Sequence, residues 1–275
     1  MELAGKNGLV LGASRGIGLA TARALAARGV RLALTWYDWP EASKSMRNEF
    51  TAMAGDHLVV RVDLRRPAEV RGLFDQIAGE FKNLHILINN IERGGMPVVH
   101  GSYQREVNRD QWQREMETTL RAKWLVFEQS LPLLRAAGQA TVINISSIAG
   151  IVGRSGPAGL LFSDGYAAAN RGVSSFTETW ARLGAPSIRV NEIMLGIIDS
   201  RHGPGTRGWD LLTATQKKAI LDHTLLGRTG TVQEVVRAIL FLLEDADFMT
   251  GSVIRLDGGY VLGAEQVPPM PEGVV

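Results

Sequence analysis

Seven consecutive residues near the start of the chain, Gly12-Ala13-Ser14-Arg15-Gly16-Ile17-Gly18, have the make-up of an anion cradle. They follow the apolar run Leu9-Val10-Leu11 and lead into a helix-like stretch at 19–28. A strand, a glycine-rich turn and a helix start in that order aim backbone N–H groups at an anion, and the helix dipole favours negative charge there. Gly12 permits a tight turn, Gly16 a close backbone approach and Gly18 close helix–strand packing. The spacing is G-x3-G-x-G, which departs from G-x-G-x-x-G. The chemistry expected is the binding of a phosphate-bearing cofactor, with Ser14, Arg15 and Ile17 completing the loop.

Further polar groups follow later apolar runs: Asp63, Asn89-Asn90, Ser146-Ser147 and the turn at 196–200. Any one alone is more often a turn former or a helix cap. In a doubly wound sheet, however, ligands sit beyond the carboxyl ends of the strands, and all four groups fall at that edge. His57, His85, His100, His202 and His223 show no metal-ligand spacing, and there is no cysteine to serve as nucleophile, thiolate ligand or disulfide partner.

The elements that must position these residues alternate from end to end. Apolar, β-prone runs at 9–11, 31–36, 58–62, 86–88, 141–145, 188–193 and 252–256 read as strands. Helical periodicity marks 17–28, 41–53, 67–81, 110–136, 166–183 and 232–244. Strands separated by helices predict a doubly wound α/β fold with a parallel sheet covered on both faces. No linker or repeat divides the 275 residues, and a 45% hydrophobic composition suits one domain with a substantial core. The net charge is only +2 and no basic run stands out, so neither nucleic acid nor a membrane surface is an expected partner. With no signal-peptide apolar region and no stretch long enough to span a bilayer, a cytoplasmic protein is expected. The tail at 264–275 reads as irregular.

Seven motifs in order resemble the short-chain dehydrogenase/reductase family over nearly the whole length. They are the glycine loop, Asp63-Leu64, Asn89-Asn90, Ile143-Asn144-Ile145-Ser146-Ser147, Tyr166-Ala167-Ala168-Ala169, Ile188-Arg189-Val190-Asn191, and Thr250-Gly251 with Asp257-Gly258-Gly259. The pattern is most similar to the ketoacyl reductases of that family. The resemblance implies a Rossmann-type fold that binds a nicotinamide dinucleotide, and a homodimer or homotetramer. It places Asp63 and Leu64 beside the adenine, Asn90 beside the ribose, and Ile198 and Ser200 beside the nicotinamide amide. The second strand ends in Thr35-Trp36-Tyr37, with Trp36 where members that use NAD carry an Asp, and Arg15 stands where relatives that prefer NADP carry a basic residue. NADP(H) is therefore favoured over NAD(H), with Asp38 opposing a phosphate only if it points inward.

The same resemblance implies a proton-donating Tyr at Tyr166 and a Ser holding the substrate oxygen at Ser147. The family's Lys, four residues after the Tyr, is replaced here by Asn170, and its relay Asn by Thr119. Asn170 retains ribose-binding capacity but supplies no charge. Asn89-Asn90-Ile91-Glu92 replaces Asn-Asn-Ala-Gly, Leu195-Gly196 replaces Pro-Gly, Leu11 stands where a Thr is usual, and 151–165 holds an apparent insertion over the site. Lys123, one helical turn beyond Thr119 on the same face, could direct an amine toward the relay region, but burial statistics make it a solvated or interface lysine. Arg171 points to a different face of the helix from Asn170. Glu92 reads as an exposed loop carboxylate, and buried beside the nicotinamide it could act as an acid or base. The segment 201–224 reads as a substrate lid, helical around 211–221, with Trp209 either contacting ligand or packing. Its composition suits an apolar or aromatic carbonyl compound. Three functions fit: an NADPH-dependent reductase with an atypical site, a silenced nucleotide- or ligand-binding protein or scaffold, and a non-redox lyase or isomerase on the same fold.

Overall fold

The computed structural model of the chain describes residues 1–200, 207–265, 267–270 and 273. The expected apolar runs form strands β1 (Asn7–Val10), β2 (Arg31–Trp36), β3 (Leu58–Arg61), β4 (Ile86–Asn89), β5 (Ala140–Ser147), β6 (Ile188–Leu195) and β7 (Val253–Leu256). They pair in the order β3-β2-β1-β4-β5-β6-β7, every pair parallel. The chain builds the sheet outward in one direction to β3 and then in the other from β4. A crevice therefore opens above the carboxyl ends of β1 and β4.

The helices are α1 (Gly16–Ala26), α2 (Pro40–Ala52), α3 (Pro67–Phe81), α4 (Pro97–His100), α5 (Gln111–Met116), α6 (Ala122–Ala136), α7 (Ala149–Val152), α8 (Asp164–Gly184), α9 (Arg207–Asp210), α10 (Ala214–His223) and α11 (Val232–Glu244). The single helix expected over 110–136 is α5 and α6, joined by a π-helical turn at Glu117–Arg121. On one face of the sheet, Val10, Leu32, Leu34, Ile88 and Ile193 pack with Leu25 of α1 and Ile239 of α11. On the other, Leu9, Leu87, Val142 and Val190 meet Leu73 of α3, Phe127 of α6 and Trp180 of α8. Trp180 lies flat between Phe127 and Phe176, with ring centroids 4.2 and 5.0 Å away. A third apolar cluster sits beyond the carboxyl edge and includes Phe162, Tyr166, Met194, Ile197, Trp209 and Tyr260.

Trp209 is buried and packs within that cluster. The first part of the expected lid, including His202, lies outside the described residues, and α9 and α10 form the rest. The apparent insertion turns at Gly153 and Gly156, both with φ in the left-handed region, and is tied down where the Ala158 N–H donates to Tyr260 Oη at 2.8 Å. Among the described residues, no helix is long and apolar enough to cross a membrane.

Candidate active site

The glycine loop leaves β1 at Gly12, whose φ of +64° is open to glycine at little cost. A Cβ added there would lie 2.6 Å from the Asn90 carbonyl oxygen, and one at Gly16 would lie 2.5 Å from Ser200 Oγ. A Cβ at Gly18 would run into the Gly12 carbonyl oxygen and come within 2.8 Å of Asn90 Nδ2. The three glycines thus do what their spacing required. They also bring together the loop, the end of β4 and the turn after β6. The Gly12 N–H donates to Thr35 Oγ1 at 3.3 Å, and Asn90 Nδ2 to the Leu11 carbonyl at 3.4 Å, which fixes the crevice floor. Ser14 is buried and Ile17 half-buried beside it. A glycine-lined cradle at the amino end of α1 fits a pyrophosphate.

At the end of β2 the chain gathers cations over aromatic rings. Trp39 adopts a left-handed conformation with φ 65°, uncommon for so bulky a residue, and its ring lies 3.9 Å from the Arg15 guanidinium carbon. Arg47 and Arg61 approach the Trp36 ring at 5.4 and 5.7 Å, and Arg61 and Arg65 approach Tyr37 at 5.4 and 5.6 Å. The Trp36 indole N–H is buried without a hydrogen-bond partner. Asp38 is exposed and lies 3.9 Å from Arg93 Nη1. Asp63 at the end of β3 is buried and accepts from Arg65 Nε at 2.8 Å and Nη2 at 2.7 Å. That bond holds its carboxyl below the ordinary value, against the upward push of burial. Leu64, next along the chain, is buried, and so is Ile198 in the turn after β6, which bridges Gly230.

Ser147 closes β5, and its Oγ accepts the Ala149 N–H at 3.2 Å. The following turn, α7, abuts α8 so closely that a Cβ on Gly150 would lie 2.8 Å from Arg171 N and 3.0 Å from the Asn170 carbonyl carbon. Tyr166 stands in the first turn of α8, buried in the third apolar cluster with Phe162. Its hydroxyl donates a short hydrogen bond to Glu92 Oε2. Asn170 is fully buried, its Nδ2 donating to the Tyr166 carbonyl at 2.9 Å while its Oδ1 has no partner. Thr119 lies in the π turn, its Oγ1 accepting from Arg93 N at 2.9 Å and donating to Arg93 O at 3.2 Å. Glu92 is exposed as expected, yet the loop carrying it is fastened to both α8 and the π turn.

Lys123 departs from the expectation of a solvated or interface lysine. It is fully buried, and its Nζ donates to the Ile91 carbonyl at 2.6 Å and the Thr119 carbonyl at 3.2 Å. Burial pushes the amine down to about 8, while the carboxylates of Glu92 and Glu192 pull the other way. Glu192 belongs to a polar rung that crosses the sheet through the paired residues Asn89, Asn144 and Glu192. Asn89 Nδ2 donates to Asn144 Oδ1 at 2.8 Å, Asn144 Nδ2 to Thr177 Oγ1 at 2.9 Å, and Thr177 Oγ1 to Glu192 Oε2 at 3.2 Å. Ser146 and Ser174 also donate to Glu192. Burial raises the Glu192 carboxyl above its ordinary value, opposed by those hydrogen bonds and by Lys123. Sequence reading passed over Glu192. The available signal was a carboxylate in β6, a strand with a neighbour on either side, where parallel sheets are buried on both faces. Among the described residues no cluster of side chains could hold a metal ion.

Known proteins resemble the chain over most of its length. A family model described as enoyl-(acyl carrier protein) reductase matches residues 12–261. Over 257 residues the chain is 30% identical to a 3-oxoacyl-(acyl carrier protein) reductase from Synechocystis, spanning 92% of this chain and 96% of that one. Over 256 residues it is 32% identical to the cis-4-hydroxycyclohexanecarboxylate dehydrogenase of Sinomonas cyclohexanicum, spanning 92% and 95% of the two chains. A cyclohexanol dehydrogenase from Acinetobacter is 28% identical over 257 residues, spanning 93% and 94%.

Proposed function

Because the chain belongs to the short-chain dehydrogenase/reductase family, we propose that it is an NADP(H)-dependent oxidoreductase that reduces a ketone or related carbonyl group through an altered proton path. The observation that carries the reading is the clear glycine cradle beside a strand end that offers arginines in place of a carboxylate. A 2′-phosphate carries extra negative charge, so Arg15 stacked on Trp39 would hold it where an acidic residue would repel it. Asp38 leans toward Arg93 and leaves that pocket cationic. Gly12, Ser14, Gly16, Ile17 and Gly18 would hold the pyrophosphate, with Trp36, Tyr37, Asp63 and Leu64 around the adenosine and Asn90, Asn170, Ile198 and Ser200 along the nicotinamide half. When bound, the reduced dinucleotide supplies a hydride.

The chain's own groups do the rest. Ser147 orients the carbonyl oxygen and Tyr166 gives it a proton. Asn170 offers its unpartnered amide oxygen to a hydroxyl, and Thr119 fixes the loop after β4. Phe162, Met194 and Ile197 surround Tyr166, which suits an apolar or aromatic substrate. The relatives named for cyclohexanol and 4-hydroxycyclohexanecarboxylate support a cyclic compound, and those named for 3-oxoacyl groups a linear one. A cytoplasmic location and a homodimer or homotetramer complete the reading.

The test measures binding of NADPH and NADH, then NADPH oxidation over a panel of ketones that includes cyclohexanone and a 3-oxoacyl thioester. Turnover by the natural chain that Tyr166→Phe lowers by roughly 10²–10⁴-fold supports the reductase. Activity seen only in Asn170→Lys supports instead a silenced, ligand-binding chain, a reading favoured by the full burial of Asn170. Failure to bind either nucleotide overturns both.

A further inference from the structure

Resting on the reductase reading, we propose that Glu92 is the residue through which Tyr166 exchanges its proton with water, so that a carboxyl group takes over the charging step that the family's lysine path serves.

The geometry points there from three sides. Tyr166 is buried, and its phenol donates to Glu92 Oε2, while Glu92 itself is exposed to solvent. A proton on the phenol therefore has a route outward that passes through a single side chain. The loop that carries Glu92 is held on both sides of it: Lys123 Nζ grips the Ile91 carbonyl at 2.6 Å, and Thr119 bonds both the N–H and the carbonyl of Arg93. Asn170 occupies the position from which an ammonium would act, and its amide nitrogen is spent on the Tyr166 carbonyl at 2.9 Å. Charged and titratable groups near Glu92 include Lys123 from α6 and Tyr166 from α8. Behind them lie Glu192 of β6, which partly balances Lys123, and Asp38, which partly balances Arg93. Lys123 is a positioning residue here: it fixes the loop that carries Glu92.

The step balances as follows. As the substrate's carbonyl carbon accepts a hydride with its electron pair, the π pair of the C=O bond moves to oxygen. That oxygen takes the phenol proton of Tyr166, and the phenolate takes the carboxyl proton of Glu92. The Glu92 carboxylate then recovers a proton from water. One hydride and one proton have been added across the C=O bond, the reductant being the reduced nicotinamide dinucleotide. The reverse direction starts from the carboxylate: the alcohol proton passes to the Tyr166 oxygen while the phenol proton passes to Glu92. Reduction thus begins from protonated Glu92 and oxidation from its charged form. Both directions turn on the protonation of a carboxyl group in place of that of a phenol.

Two measurements test this, one of which needs neither cofactor nor turnover. In the cofactor-free chain, the tyrosinate ultraviolet absorbance of Tyr166 is isolated as the difference from Tyr166→Phe. A carboxylate against the phenol opposes its ionisation, so the Tyr166 signal in Glu92→Gln should appear at least about one pH unit lower than in the natural chain. Coincident titrations overturn the proposal. In the second, kcat/KM for cyclohexanone with NADPH, and for cyclohexanol with NADP, is followed against pH. The natural chain should lose reduction roughly tenfold per pH unit above the Glu92 ionisation and gain oxidation through it. Glu92→Gln should flatten both slopes and Glu92→Asp should restore them. Tyr166-dependent turnover whose slopes survive in Glu92→Gln overturns the proposal and leaves the reductase reading standing. A shifted titration with no turnover in any chain supports the Tyr166–Glu92 coupling and removes the reductase reading.

Discussion

A lysine amine sealed between helices and a sheet either gives up its proton or meets enough oxygens to keep it. Lys123 does some of both: two backbone carbonyls accept from it, and its value is pushed down to about 8. Unfolding restores the ordinary 10.5. Between those values the unfolded chain binds the extra proton, so this group's contribution to stability is present above 10.5 and is lost as pH falls through about 8. In denaturant titrations, the natural chain should therefore gain about 2 kcal/mol relative to Lys123→Met between pH 7.5 and 9.5. Equal pH dependence in the two chains would show that the amine is not sealed. Nothing in the local sequence announced this burial, because both acceptors are main-chain carbonyls and Glu192 lies far along the chain. The Tyr166 and Ser147 positions, by contrast, were legible from their motifs.

At the scale of elements, alternation carried the strands and main helices because apolar runs and helical periods follow directly from which faces are buried. What it missed were features made by contact between elements. The end of β2 is the clearest case: Trp36 and Tyr37 read as a strand end lacking an acid, whereas their rings draw Arg47 from α2, Arg61 from the end of β3 and Arg65 from the turn after it. The left-handed Trp39 adds a platform for Arg15. Arg15 is exposed and lies in a loop, so removing it should leave folding intact. Arg15→Ala should weaken NADPH binding roughly tenfold, about 1.4 kcal/mol, and leave NADH binding nearly unchanged. Fluorescence titration with each nucleotide checks this, and equal losses for both would assign Arg15 to the pyrophosphate. The aromatic stack on α8 has a structural role: Trp180→Ala should cost about 3–5 kcal/mol in chemical denaturation without altering the cofactor's selectivity.

For the molecule as a whole, a Rossmann-type sheet explains why residues from every strand end meet at one edge. It also leaves an outer face whose partner the sequence could not identify by pattern. There Met116, Leu120, Trp124 and Phe176 line an apolar groove along the helices, with Trp124 half exposed. The groove and the active site share one device, the π turn at Glu117–Arg121. A π turn accommodates one residue more than the helix around it, and each residue advances an α-helix by about 100°. That extra residue sets the rotational phase of everything after it, turning Lys123 inward and Trp124 outward at once. Deleting one residue from the turn would keep the helix but swing both side chains by about 100°. The hold on the loop after β4 and the apolar groove would be lost in a single step.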